Sequence, residues 1–423
     1  MSINEKINNG TLDPMLLTLY GKENLEFSRN RSLSVLTGFE EAYGNEATSL
    51  FSAPGRTEIG GNHTDHQQGC VLAAAVNLDL LAAVSTCTNG KITVHSQGYP
   101  VMEVELSQLE PQKSEENTSL ALIRGVAARF VQLGCDLSGK GLNIWMCSDV
   151  PGGSGLSSSA AFEVLLGTII NALFWESKCS PVEIAQIGQY AENVFFGKPC
   201  GLMDQTASSV GGIISIDFQE KESPVVQQIP FDFAQAKHAL CILDSGADHA
   251  DLTEEYASIT QELADVCTFF GKKVLREVPK EKFLQKLPQL REKVSQRGIL
   301  RAFHVYSDNQ RVSEQVEALA KGDFSSFLRL VEASGNSSGQ FLQNVVPTGQ
   351  VNHQELMLAI ALCKEILQGR GAVRVHGGGF GGTAMAFVPL DCLQEFKTKA
   401  EALLGEGACH VLSIRPLGGV QLT

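Results

Sequence analysis

The 423-residue sequence predicts a mixed α/β (α+β) enzyme built as two lobes, and three observations carry that expectation. The chain is longer than one hydrophobic core usually supports, so two lobes are the default. Strand-like and helix-like runs alternate along it. Two glycine-rich loops, at 151–161 and 377–382, follow strand-like runs, where a backbone turns tightly or approaches a ligand closely.

The elements follow in order. Residues 1–50 read as helical, with a turn at "AYGNEA". Apolar runs at 71–86 and 91–105 read as strands. Residues 118–134 form an amphipathic pattern, with Leu120, Ile123, Val126 and Phe130 at helical spacing. "GLNIWMC" at 141–147 alternates as a strand does. After the first glycine loop, "AAFEVLLGTIINALFW" is apolar nearly all round, which predicts a buried helix. Another helix is expected over 181–196, followed by "GKPCGLMDQTASSVGG". The polar stretch "QEKESPVVQQ" at 219–228 is expected to pass between the lobes, giving an N-terminal lobe of 1–225 and a C-terminal lobe of 226–423. Helices dominate 252–345, and a strand–glycine turn–strand unit closes the pattern at 372–389.

Composition narrows the function. A net charge of −14 argues against a polyanion-binding surface. The most basic stretch, 271–300, interleaves Lys and Arg with Glu, as a solvated helical face does. Eleven scattered cysteines without a C-x-x-C pair speak against a zinc site or a disulfide framework and fit free thiols in a reducing cytoplasm. The N-terminus lacks the regions of a signal peptide, and the longest apolar run, around 71–85, is too short to span a bilayer. The expectation is a soluble, cytoplasmic protein with small-molecule partners, no nucleic acid and no membrane. The oligomeric state is left open, and a monomer is compatible with the sequence.

The loop "PGGSGLSSSAA" carries the chemistry. A strand precedes it and a helix follows, so its backbone N–H groups and the helix N-terminus converge on an anion. Gly152, Gly153 and Gly155 allow close approach, with Ser154 and Leu156 between and after them. Ser157, Ser158 and Ser159 offer hydroxyls to phosphate oxygens or to the magnesium that accompanies ATP. No Lys follows the glycines, so this is not the G-x-x-x-x-G-K-[ST] loop. A flexible loop ending in a serine cap is the plain alternative. "GGGFGG" at 377–382 matches G-x-G-x-x-G, but a dinucleotide site needs a helix after it. Here "TAMAFVP" alternates as a strand, which predicts a tight turn between paired strands.

Three motifs together resemble the GHMP family of small-molecule kinases, its galactokinase branch in particular. They are "APGRTEIGGNHTDHQQGCVL" at 53–72, the glycine-serine loop, and "VHGGGFGGTAMAFV" at 375–388. "CGLMDQTAS" at 200–208 and "RAFHVYSDNQRV" at 301–312 also match, in the family's order. The resemblance implies a two-lobed GHMP kinase fold, with an N-terminal lobe like ribosomal protein S5 domain 2 and a GHMP C-terminal lobe. It also implies transfer of the γ-phosphoryl group of ATP to a sugar's anomeric hydroxyl, with Mg2+. By the same resemblance Asp204 is the base and Arg56 the catalytic arginine. Glu192 completes the magnesium site with a loop serine, Ser158 by position. Asn62, His63, Asp65 and Tyr256 fall on sugar-binding positions. The plain alternatives are an Asp capping a turn, a surface ion pair, an exposed helix Glu, a structural His and a core aromatic.

The chain departs from the family at three places. The family's Glu before the His, which accepts from the sugar's C6 hydroxyl, is Asn62, and its Tyr after the Asp is His66. The stretch "SGNSSGQFLQNVVPTG" at 334–349 differs as well. Asn keeps an acceptor and removes a charge, which would tolerate a carboxylate at C6. Galacturonate is therefore an alternative acceptor, and galactose is the expected one because Asn still bonds a neutral hydroxyl. A sugar and ATP sensor without catalysis is the reading of another class; its mark would be loss of Asp204, Arg56 or the serine run, and all are present.

Overall fold

A computed structural model of the chain describes residues 1–152, 155–220, 223–247 and 252–423. Gly153 and Ser154 of the expected phosphate loop lie outside the described residues. Three helices open the chain: α1 (Ile3–Asn8), α2 (Asp13–Tyr20) and α3 (Leu25–Tyr43). Ser2 caps α1 in a reciprocal capping box with Glu5, and Gly44 ends α3 in the left-handed conformation.

The first sheet begins with β1 (Ser49–Gly60) and β2 (Cys70–Cys87), followed by the hairpin of β3 (Lys91–Ser96) and β4 (Met102–Glu105). Then come α4 (Ser119–Gln132), β5 (Gly141–Ser148), α5 (Ser158–Phe174), α6 (Pro181–Ala191), α7 (Met203–Val210), β6 (Ile213–Asp217) and β7 (Val225–Ile229). A π-turn at Glu192–Phe196 extends the end of α6. The 18-residue β2 organises the sheet: its first half pairs with β6, its second half with β5, and β1 runs antiparallel to both halves. Every residue of β1 is buried, because α5 and α7 pack on this strand.

The second sheet comprises β8 (His238–Asp244), β9 (Ala372–His376), β10 (Thr383–Pro389) and β11 (Cys409–Leu412), in the order β11-β8-β10-β9. Between β8 and β9 lie α8 (Thr253–Phe269), α9 (Lys280–Gln285), α10 (Leu287–Leu290), α11 (Gln296–Ala320), α12 (Phe324–Ser337) and α13 (Glu355–Leu367); α14 (Leu393–Leu404) follows β10. The helix expected over 181–196 and the strand–turn–strand unit at 372–389 lie where the periodicity places them, and no helix follows the second glycine run.

Two expectations shift. The polar stretch at 219–228 does not pass between the sheets. Its second half is β7, which pairs with β6 in register Ile213↔Ile229, so a boundary at residue 225 would cut a hairpin. The chain instead enters the second sheet over 230–237. It also returns at the end: β12 (Val420–Gln421) pairs with β1, so the last residues belong to the first sheet. The polar surface of a solvated hairpin strand reads like a linker, and only pairing distinguishes them.

Candidate active site

Arg56 and Asp204, 148 residues apart, meet in a two-point ion pair: Nε donates to Oδ1 at 2.7 Å and Nη2 to Oδ2 at 2.6 Å. Arg56 sits on β1 just past a bulge at Pro54/Arg56, and Asp204 lies in the first turn of α7. The Ser208 hydroxyl of the same helix donates to the carbonyl of Pro54 at 2.6 Å, which pins α7 to the strand. The Arg56 side chain is 8% exposed and that of Asp204 is 30% exposed, so the carboxylate faces open space while its partner is buried. Burial raises the Asp204 carboxyl, but the Arg56 charge and hydrogen bonds from Arg56 and Ser157 outweigh it and hold it below the usual carboxylate range.

The same arginine grips the glycine-serine loop. Its backbone N–H donates to the carbonyl of Leu156 at 3.0 Å, and its Nη1 donates to the carbonyl of Gly155. Leu156 is buried and anchors the loop in the core; Gly155 and Ser157 both take positive φ, turning the chain into α5. Gly152 and Ser158 are exposed at the mouth, with Ser159 half-buried. A cavity of about 680 Å3 opens there, lined by Gly152, Ser158, Ser159, Phe162, Phe196 and the exposed Tyr99 among others. That volume is in the roughly 300–1,000 Å3 range of small-molecule sites. Apolar walls such as Phe162 and Phe196, beside Gly152 and the serines Ser158 and Ser159, suit a nucleoside carrying phosphates. No reading of the sequence pointed to Tyr99, because an aromatic on a hairpin loop carries no periodic signal.

An acidic group lies beside the ion pair. The Gln205 side-chain amide donates to Glu192 Oε2 and Glu163 Oε2, each at 2.9 Å. All three side chains are buried. Burial and the neighbouring Glu192 push the Glu163 carboxyl well up. The other Glu192 oxygen forms a long ion pair with the exposed Lys198 Nζ at 3.9 Å. Glu163 and Gln205 were not singled out from sequence; an apolar-patterned helix hides one and the neighbouring Asp204 overshadows the other.

The sugar-motif turn after β1 is held by the glycine turn between β9 and β10, whose successive carbonyls each receive a donor. Asn62 Nδ2 donates to the Gly377 carbonyl at 2.7 Å, His63 Nε2 to that of Gly378 at 2.9 Å, and the Tyr256 hydroxyl to that of Gly379 at 3.0 Å. Burial and His66 push the His63 imidazole down to about 4, so it is neutral near pH 7 and its Nδ1 is an acceptor. A Cβ on Gly378 would lie 2.5 Å from the Tyr256 ring, and one on Gly379 2.0 Å from the Asn344 carbonyl. Gly378→Ala should therefore displace Tyr256 and lower stability by about 1–3 kcal/mol, the usual range for overpacking, readable in thermal melts; an unchanged melting temperature would refute this packing role. Asp65 faces the segment before α7, since a Cβ on Gly201 would lie 2.2 Å from its Oδ2.

Asn62 departs from expectation. It has no exposed surface, and every polar atom of its side chain is bonded within the protein. Nδ2 also donates to Glu58 Oε1 at 3.1 Å, while Oδ1 accepts from Asn344 Nδ2 at 2.8 Å and from the Ser338 hydroxyl at 3.2 Å. Its backbone N–H donates to Asp308 and its carbonyl accepts from His304, both at 2.9 Å. Glu58 in turn pairs with the buried Arg374 at 2.7 Å. His376 bonds the Thr57 hydroxyl at 3.1 Å; burial and the charges of Arg56 and Arg374 push its imidazole down to about 3, so it is neutral.

Known proteins fit this geometry. Residues 37–86 match the galactokinase galactose-binding signature, and residues 121–212 match the GHMP kinases N terminal domain. A galactokinase of Actinobacillus pleuropneumoniae serotype 5b (strain L20) is 33% identical over 354 residues, covering 83% of this chain and 88% of that protein. A galactokinase of Glaesserella parasuis serovar 5 (strain SH0165) is 33% identical over 359 residues, covering 84% and 88%. Among solved structures, Lactococcus lactis galactokinase complexed with galactose superimposes with a TM-score of 0.79 at 22% identity, over 92% of this chain and 98% of that one. At that identity the likeness is one of fold.

Proposed function

The chain belongs to the galactokinase family of GHMP kinases, and from that premise we propose that it transfers the γ-phosphoryl group of ATP to the anomeric C1 hydroxyl of galactose, giving galactose 1-phosphate and ADP. The observation that carries this reading is the Arg56–Asp204 pair clasped to the loop carbonyl of Gly155. Asp204 accepts the proton of the sugar hydroxyl as its oxygen attacks phosphorus. Arg56 keeps Asp204 ionised and offsets charge on the moving group. The cavity beside the loop receives the adenosine, with the phosphates on Gly152, Gly155 and the serines. Gly153 and Ser154, outside the described residues, belong to the same loop. Glu192 and Ser158 would hold Mg2+, which supplies charge neutralisation for the phosphates; a carboxylate and a hydroxyl suit its preference for oxygen ligands. His63, Asp65 and Tyr256 form the sugar side.

Galacturonate would need a cation for its C6 carboxylate. Asn62 offers no free atom, and Arg374 spends its donors on Glu58 and on the carbonyls of Ile59 and Val375. That favours galactose. No described helix is long and apolar enough to cross a membrane, and we place the enzyme in the cytoplasm with its two small-molecule substrates as partners.

The decisive experiment follows ADP release with galactose, galacturonate, galactosamine and arabinose. Galactose is expected to give the highest kcat/KM. Turnover with galacturonate above galactose would overturn the substrate assignment, and turnover with no hexose would favour the sensor reading.

A further inference from the structure

The residue before His63 stands where a sugar contact is expected, yet its chemistry is spent inside the protein. The Gly377 carbonyl only accepts, so the Asn62 face toward it and toward Glu58 must be its NH2 group. The opposite face then accepts from Asn344 and Ser338. Both donors and both lone-pair directions are used. With the backbone bonds to Asp308 and His304, Asn62 joins β1, α11, the segment 338–344 and the glycine turn.

Those partners are themselves held. Glu58 accepts from Arg374, whose Nη1 also donates to the carbonyl of Ile59, tying β1 to β9. Asp308 accepts from Arg311 at 2.7 Å and from the Ser334 hydroxyl at 3.2 Å; His304 Nδ1 bonds the Ser337 hydroxyl at 2.9 Å. Ser334, Ser337, Ser338 and Asn344 all come from 334–349, the stretch whose text is unusual in this chain. The second departure thus supplies the bonds that receive the first.

We propose that Asn62 is a positioning residue that fixes the sugar-binding turn from within, paired with Glu58, and does not read the sugar's C6 substituent. The inference rests on the galactose-kinase reading above. A direct reader loses affinity only for a sugar that carries the group it reads, whereas a positioning residue affects every sugar held by His63 and Asp65 equally. An aspartate at this position would lose both donors and set a second carboxylate against Glu58, where like charges in a buried site repel strongly.

The test measures KM for galactose, for 6-deoxygalactose and for ATP in three variants. Asn62→Ala should raise KM for both sugars by the same factor, on the order of tenfold, the scale of losing a charge-assisted hydrogen bond, with KM for ATP little changed. Asn62→Asp should be worse, and adding Glu58→Gln should recover most of that loss, since the amide donor and the charge then exchange places across the pair. Ser338→Ala removes one bond from the side away from the sugar turn and should shift both sugars equally by a smaller factor; it keeps the comparison available if the Asn62 variants do not fold. A rise in KM for galactose with 6-deoxygalactose unchanged would overturn the proposal, as would a double variant no better than Asn62→Asp alone. If the unmodified protein turns over no hexose, the kinase reading fails instead, and calorimetric affinities for the same two sugars still decide the role of Asn62.

Discussion

Asp204→Asn should lower kcat by about 10²–10⁴-fold, the span attributed to a general base, with ATP affinity retained. The amide keeps the size of the carboxylate, but its single oxygen accepts only one of the two Arg56 donors and its NH2 faces the other. Arg56 still holds the loop through the carbonyls of Leu156 and Gly155, so nucleotide binding survives while proton acceptance is lost. Equilibrium binding of ATP separates the outcomes: a variant that fails to bind nucleotide would contradict the role assigned to Asp204. The pH profile adds an independent readout. Because Arg56 and Ser157 hold the carboxyl below its ordinary range, the base is ionised throughout the neutral region. The acid limb of kcat/KM due to this group should lie below the ordinary carboxylate range, where protonation finally removes the base. By linkage, the stability that this depressed carboxyl contributes is present above its unfolded pKa and is lost as pH falls through the folded one.

Arg56→Ala should be as damaging and should differ in kind. Three contacts vanish together: the two bonds to Asp204 and the one to the Gly155 carbonyl. Loss of a preorganised donor to transition-state charge costs about 10²–10³ in kcat. With the loop released, KM for ATP should rise as well, which Asp204→Asn should not cause. Burial of Asp204 persists without its counter-charge, so its pKa should climb and the acid limb should move to higher pH. The pair is only partly buried, with the Asp204 side chain 30% exposed, so the stability cost should fall short of about 3–5 kcal/mol, the scale for a fully buried pair, and the melting temperature should drop modestly. Arg56→Lys should rescue little, because a single ammonium cannot reproduce two parallel N–H bonds and a third to the loop. An unchanged acid limb in Arg56→Ala would refute the electrostatic account of Asp204.

Much of the site was legible because its signals are local. The glycines and serines of 151–161 sit between a strand and a buried helix, and both neighbours show in the apolar pattern. The turn at 377–382 was separable from a dinucleotide motif because seven following residues alternate as a strand. Arg56, Glu192 and Asp204 came from motif order, and the structure brings Arg56 and Asp204 into contact and Glu192 to within one glutamine of that contact. Other features carried no local signal. The stretch 219–228 read as a linker, yet its residues 225–228 belong to a solvated strand, and the last strand rejoins β1 across nearly the whole length of the chain.

The sequence by itself determined a two-lobed α/β kinase in which Arg56, the glycine-serine loop and Asp204 follow the family's order. Tertiary structure alone decided what Asn62 does. A buried amide must satisfy two donors and an acceptor, and its partners Glu58, Ser338, Asn344 and Gly377 are 4, 276, 282 and 315 residues away. No pattern along the chain encodes that set, since hydrogen-bond satisfaction in a core is settled by what packs nearby and not by what is adjacent in sequence.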